Sequence, residues 1–93
     1  MNAVASEAAI PRLGTGVRLH FDSVRKAWGL LAPERLFKLD GPGTEVMKLV
    51  DGLRDVRSIV DTLAERFKAP RTVIAHDVLA MLQGLADKNV IHL

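Results

Sequence analysis

The sequence predicts an α+β domain of winged-helix-like size, in which a three-stranded antiparallel sheet is followed by three helices. Three observations carry that expectation. Apolar and polar residues alternate with period 2 only in the first half of the chain, the spacing becomes helical after Asp40, and the connections are too short for crossovers. A chain of 93 residues has room for one domain with one core.

Met1 to Pro11 is Ala-rich and poor in large apolar residues, so residues 1–12 are expected to form a flexible tail and residues 13–93 the domain. After Gly14-Thr15-Gly16, the stretch Val17–Asp22 alternates as a half-buried strand does. Trp28–Leu31 is expected as a second strand, closed by Ala32-Pro33. Arg35–Leu39 is expected as a third, with Leu36 and Lys38 on one face and Arg35, Phe37 and Leu39 on the other. Asp40 then serves as an N-cap, with Pro42 in the first turn. Val46, Met47, Leu49, Val50 and Leu53 follow at helical spacing, and Asp51-Gly52 offers an αL exit. Asp55 caps a second helix with the stripe Val56, Ile59, Val60, Leu63 and Phe67, which Pro70 prevents from extending. A third helix is expected from about Pro70 to Lys88, with Asn89 as its αL exit into the apolar end Val90–Leu93.

Composition narrows the function classes. Apolar residues make up 48% and charged residues 26%, as in a folded soluble chain. No apolar run approaches the roughly 18 residues of a membrane span. Met1–Glu7 lacks the basic start and apolar middle of a signal peptide, so a cytoplasmic location is expected. Without cysteine there is no disulfide framework, thiolate metal site or Cys nucleophile. His20, His76 and His92 fall on separate elements and supply no spaced ligand set, so no metal and no cofactor are expected. Ser6, Ser23 and Ser58 lack a nucleophile-elbow context. Asp40-Gly41-Pro42-Gly43-Thr44 lacks the Lys of a phosphate loop and reads as a turn and cap. No catalytic constellation emerges, and the expectation is a non-enzyme.

A three-stranded meander has two edges carrying unpaired N–H and C=O groups. No proline or bulge signal interrupts Leu36–Leu39, so this edge can accept an added peptide strand. On the third helix, Ile74, Val78, Met81 and Leu85 form an ordinary core stripe, and Ala75, Leu79, Leu82 and Ala86 widen the apolar arc by roughly another 80–120°. Such an arc is either buried on two sides or lines a groove. The candidate peptide-binding residues are Arg35, Leu36, Phe37, Lys38 and Leu39 on the strand, with Ile74, Ala75, Val78, Leu79 and Leu82 on the helix. Arg35 and Lys38 are positioned to attract acidic peptide residues. An exposed edge also permits a weak or swapped dimer alongside the monomer.

The alternative of a different class is a small winged-helix protein binding DNA. Arg54, Arg57, Arg66, Lys68 and Arg71 suggest it, but Asp51, Asp55, Asp61 and Glu65 are interleaved with them, and the net charge is only +2. No nucleic-acid partner is expected.

The ordered series Trp28-Gly29-Leu30-Leu31-Ala32-Pro33-Glu34, a strand ending in Leu39, Asp51-Gly52 with Val56 and Ile59, then Asp77-Val78 with Leu82 and Leu85 resembles the PqqD family. The similarity runs from about Leu13 to Leu93. Asp40 with Pro42-Gly43 and Asn89 depart from the family's pattern but can fill the same cap and αL roles. The resemblance implies a peptide chaperone of pyrroloquinoline quinone biosynthesis. It would bind the precursor peptide PqqA and present it to PqqE, a radical S-adenosylmethionine enzyme that cross-links a Glu to a Tyr within it. It also implies possible fusion to PqqC, the pathway's final oxidase. A leader-peptide recognition domain of another modified-peptide pathway shares this outline.

Overall fold

The computed structural model describes residues 5–93. Strands β2 (Arg18–Asp22), β3 (Ala27–Ala32) and β4 (Arg35–Lys38) form an antiparallel sheet in the order β2-β3-β4. These are the three expected strands, within a residue of their expected ends. Asp22 shapes the first hairpin, its Oδ1 accepting from the N–H groups of Val24 and Arg25. The second hairpin is closed by Pro33-Glu34, with Glu34 at a φ of 63°. Proline followed by a positive φ is the requirement of a type II turn. In register, Phe21, Trp28 and Leu39 share one face of the sheet with Leu19, Leu30 and Phe37, and Leu30 is fully buried there. Trp28 is half-buried, its ring 5.2 Å from that of Phe21 and 5.1 Å from Lys48 Nζ.

Helices α1 (Gly41–Lys48), α2 (Val56–Phe67) and α3 (Arg71–Asp87) follow. The carboxylates of Asp40 and Asp55 accept from Gly43 N–H at 2.7 Å and Ser58 N–H at 2.9 Å, which fixes the starts of α1 and α2. Asn89 exits α3 at a φ of 60°, and the N–H groups of Asn89 and Val90 return to the carbonyls of Ala86 and Leu85. That closure satisfies carbonyls the helix leaves free. The first helix is shorter than its apolar spacing suggests. It ends at Lys48, and Asp51 instead folds a turn by accepting from Leu53 and Arg54 N–H. Leu53, expected on the core stripe, is consequently 82% exposed. Phe67 likewise leaves the core at the end of α2 and is 43% exposed.

A second, two-stranded sheet was not legible in the sequence. Strand β1 (Arg12–Leu13) pairs antiparallel with β5 (Ile91–His92), joining the two ends of the described chain. Gly14 lies so close to this junction that a Cβ there would stand 2.9 Å from the Val90 carbonyl oxygen. Among the described residues, folded contacts already include Ala5, ahead of Leu13. The carbonyls of Ala9 and Glu7 accept from Val56 and Arg57 N–H, supplying partners for the first free donors of α2. Arg71 donates to both Glu7 and Asp61, and Ala5 N–H donates to Gln83 Oε1. Pro11 is fully buried. Residues 1–4 of the expected tail lie outside the described residues.

Candidate peptide groove

Strand β4 is an edge of its sheet, and the ladder parity states which of its main-chain groups are open. Leu39 N–H donates to Trp28 C=O at 3.1 Å, and the register pairs Phe37 with Leu30 and Arg35 with Ala32. In an antiparallel ladder, alternate residues point their N–H and C=O toward the partner. Arg35, Phe37 and Leu39 therefore bond to β3, while Leu36 and Lys38 present theirs to the open edge. Side chains divide the same way: Arg35, Phe37 and Leu39 lie on the inner face, and Leu36 and Lys38 on the outer face.

Beside this edge runs a groove of about 730 Å³, bounded by the end of β4, the start of α1, the end of α2 and one flank of α3. Leu39, Pro42 and Val46 form one wall, Leu63 and Phe67 one end, and Ile74, Val78, Met81 and Leu85 the α3 side. At about 100° per residue, Ile74, Met81, Leu85 and Lys88 fall within about 60° of one another on α3. Ala75, Leu79, Leu82 and Ala86 occupy a second arc of about 60°, centred some 120° away. The second arc is the buried one, with Ala75, Leu82 and Ala86 in the core and Leu79 half-buried against it. Of the stripe expected as core, Val78 is buried at 3% exposure, while Ile74, Met81 and Leu85 are only partly covered, and all four line the groove.

Of the ten sequence-derived candidates, Lys38, Leu39, Ile74 and Val78 line the groove. Ala75 and Leu82 do not reach it, being 9% and 0% exposed within the core, and Leu79 is not in its lining. Leu36 borders a separate, smaller hollow of about 250 Å³ on the outer face, with His20, Trp28 and Gly29. Arg35 and Phe37 are not in the groove's lining, but Lys88, which is, lies 5.8 Å from the Phe37 ring centre. Sequence reasoning missed Phe67, Gly84 and Lys88 as groove residues. A glycine in mid-helix with no turn around it was the one signal that pointed to Gly84. Lys88 lies one turn beyond Gly84 on the same flank.

Three cations gather at the mouth. The Arg35 guanidinium carbon lies 5.1 Å from the Phe37 ring centre and Lys88 Nζ 5.8 Å from it, and Arg35 donates to the Lys88 carbonyl at 3.4 Å. Lys38, on the outer face of the edge, borders both this groove and the outer hollow. Among the described residues, none of the three has a carboxylate within 4.0 Å, whereas Arg25, Lys48, Arg54, Arg66 and Arg71 are all paired. Pairing of Arg54, Arg66 and Arg71 also neutralises much of the basic surface that suggested DNA. Among the described residues, no group of three or more His, Cys, Asp or Glu converges as a metal site would need, and no helix is long and apolar enough to cross a membrane. The arrangement combines open main-chain donors and acceptors, an apolar trough and unpaired positive charge, which together suit an extended peptide.

Known proteins share this architecture. The chain is 49% identical over 84 residues to a PqqA binding protein of Rhodopseudomonas palustris (strain TIE-1), spanning 90% of this chain and 82% of that one. It is 48% identical over 86 residues to the bifunctional coenzyme PQQ synthesis protein C/D of Methylorubrum extorquens, covering 92% of this chain but 23% of that longer protein. Its fold matches the solution NMR structure of the PqqD truncation of Methylobacterium extorquens PqqCD, described as a stand-alone RiPP recognition element. That match has a TM-score of 0.83 at 46% identity and spans 96% of this chain and 95% of the other. The family model for coenzyme PQQ synthesis protein D matches residues 28–91, and the chain belongs to the PqqD family.

Proposed function

We propose that this domain is a non-catalytic adaptor that holds the precursor peptide PqqA as an added strand on β4, with alternate peptide side chains directed over α3. One observation carries the reading: the unpaired N–H and C=O groups of Leu36 and Lys38 border an apolar groove walled by α3. Main-chain pairing would give affinity, and the trough would select side chains. The relatives named for binding PqqA support the identity of the peptide. In this reading the held peptide is presented to PqqE in the cytoplasm, which the family resemblance supports. Holding an otherwise disordered substrate would raise its effective concentration at such an enzyme. The fused C/D relative supports a further association with PqqC. A monomer is the form whose β4 edge is free for the peptide, since swapping or edge pairing would compete for it.

Two proline variants test the strand. Leu36→Pro removes an N–H that faces the open edge, and binding of PqqA is expected to weaken about tenfold or more while the amide spectrum stays dispersed. Phe37→Pro removes an N–H that bonds within the sheet, so it is expected to disrupt the β3–β4 hairpin itself. Unchanged affinity of a folded Leu36→Pro protein, or peptide-induced amide shifts centred on Val17–Asp22, would place the peptide elsewhere.

A further inference from the structure

We infer that the groove reads an acidic and an apolar side chain placed two residues apart in the peptide, the acidic one beside Phe37 and the apolar one beside Leu39. The inference rests on the strand-addition reading and specifies its register.

Directly opposed residues on neighbouring strands share a face of the sheet. Peptide residues opposite Leu36 and Lys38 therefore project outward, and those opposite Phe37 and Leu39 project inward, over α3. The two inward positions meet different chemistry. Leu39 lines the groove together with Val46, Met81 and Ile74, and the Asp40 and Asp77 carboxylates in the same lining disfavour a second acid at this position. Beside Phe37 stand Arg35 and Lys88, both drawn against the aromatic ring and neither paired with a carboxylate among the described residues. A docked strand removes water from these cations. Cations that lose water without gaining a partner are costly, so an uncharged inward residue is disfavoured there and a basic one rejected. Phe37 and Leu39 are separated by two residues of strand, about 6.6 Å, so the acidic and apolar peptide side chains carry the same spacing. Lys38 adds positive charge on the outer face of the same edge without changing that register.

The test is calorimetric titration of the full chain with PqqA and with PqqA variants in which each Asp or Glu becomes in turn its amide or Lys. One acidic position is expected to stand out, the amide weakening binding about fivefold and Lys about tenfold or more. The apolar residue two positions away is expected to lose about tenfold when replaced by Ala. A Lys88→Glu protein should lose about tenfold against PqqA and recover with the Lys-substituted peptide, as a double-mutant cycle measures. Lys88→Gln serves as the milder variant should Lys88→Glu fold poorly. Equal affinity across all acid replacements, a sensitive acid and apolar residue not two positions apart, or no recovery in the charge swap would each overturn the register. If those results came with amide shifts still on Arg35–Leu39, the strand-addition reading would stand without it. Shifts elsewhere would remove both.

Discussion

The two flanks of α3 carry similar apolar side chains and have opposite fates. Ala75, Leu82 and Ala86 on one flank are sealed in the core, while Ile74, Met81 and Leu85 on the other are half-covered and face the groove. Helix α3 packs against α2 and β5, and the segment beginning at Ala5 bonds to the Gln83 side chain, on the side of α3 turned away from the groove. Nothing among the described residues closes over the groove flank, because the chain between β4 and α1 turns at Asp40 and leaves the edge open. One helix thus divides its apolar surface between stability and recognition. The wide apolar arc is the sum of two narrower ones with different partners.

The largest contrast is expected in stability. Leu82→Ala removes a fully buried side chain and should cost about 3 kcal/mol in urea unfolding. Met81→Ala, one residue away on the groove flank, should cost about 1 kcal/mol or less, with its main effect on peptide affinity. Equal losses from the two would mean that both flanks are core and the groove is closed in solution.

Gly84 sharpens the same comparison. A Cβ placed there meets nothing within 4 Å, so no neighbour in the described domain requires glycine. Gly84→Ala should therefore raise stability by about 0.5–1 kcal/mol through helix propensity alone. Gly84→Leu should leave the fold intact yet weaken PqqA binding, since its side chain extends into the space beside β4. A Gly84→Leu protein with unaltered affinity would show that the peptide does not approach α3 at this turn.

The smallest effect belongs to the covered side. The hydrogen bond from Arg71 holds the Glu7 carboxyl below its ordinary value of 4.5, an effect aided by the charges of Arg71 and Arg57 and opposed by partial desolvation and by Asp61. A depressed folded value means the contact stabilises above about 4.5 and is lost as the pH falls below it. The pair is exposed, so the effect on the whole fold is small. It should be visible locally. Amide protection at Val56 and Arg57, whose N–H groups donate to Ala9 and Glu7 carbonyls, should fall on acidification in the natural chain. In Glu7→Gln, where that carboxylate is gone, the acid-dependent component should be absent. Protection that falls equally in both proteins would assign the acid sensitivity to other carboxylates, such as Asp51.

Much of the fold was legible because its signals are local. Period-2 alternation located β2, a short apolar run stopped by Ala32-Pro33 located β3, and Asp40, Asp55 and Asn89 mark helix ends through groups only a few residues distant. Lys38, Leu39, Ile74 and Val78 were reached from the same patterns, and they do line the groove. Periodicity failed at Leu53, where the Asp51 turn replaced a further helical turn and left the side chain in water.

Local residue patterns locate β2 to β4 and the three helices, mark the helix caps, and make α3 apolar over more than one face. Which face is covered depends on the folded neighbours, because the covering groups come from far along the chain. Two-residue strands such as β1 and β5 carry no periodic signal, yet their pairing joins Arg12 to His92 and holds that junction beside α3. Burial is a contest between surfaces for a limited number of partners. The flank of α3 that met α2 and β5 became core, and the flank beside the β4 edge kept an open groove.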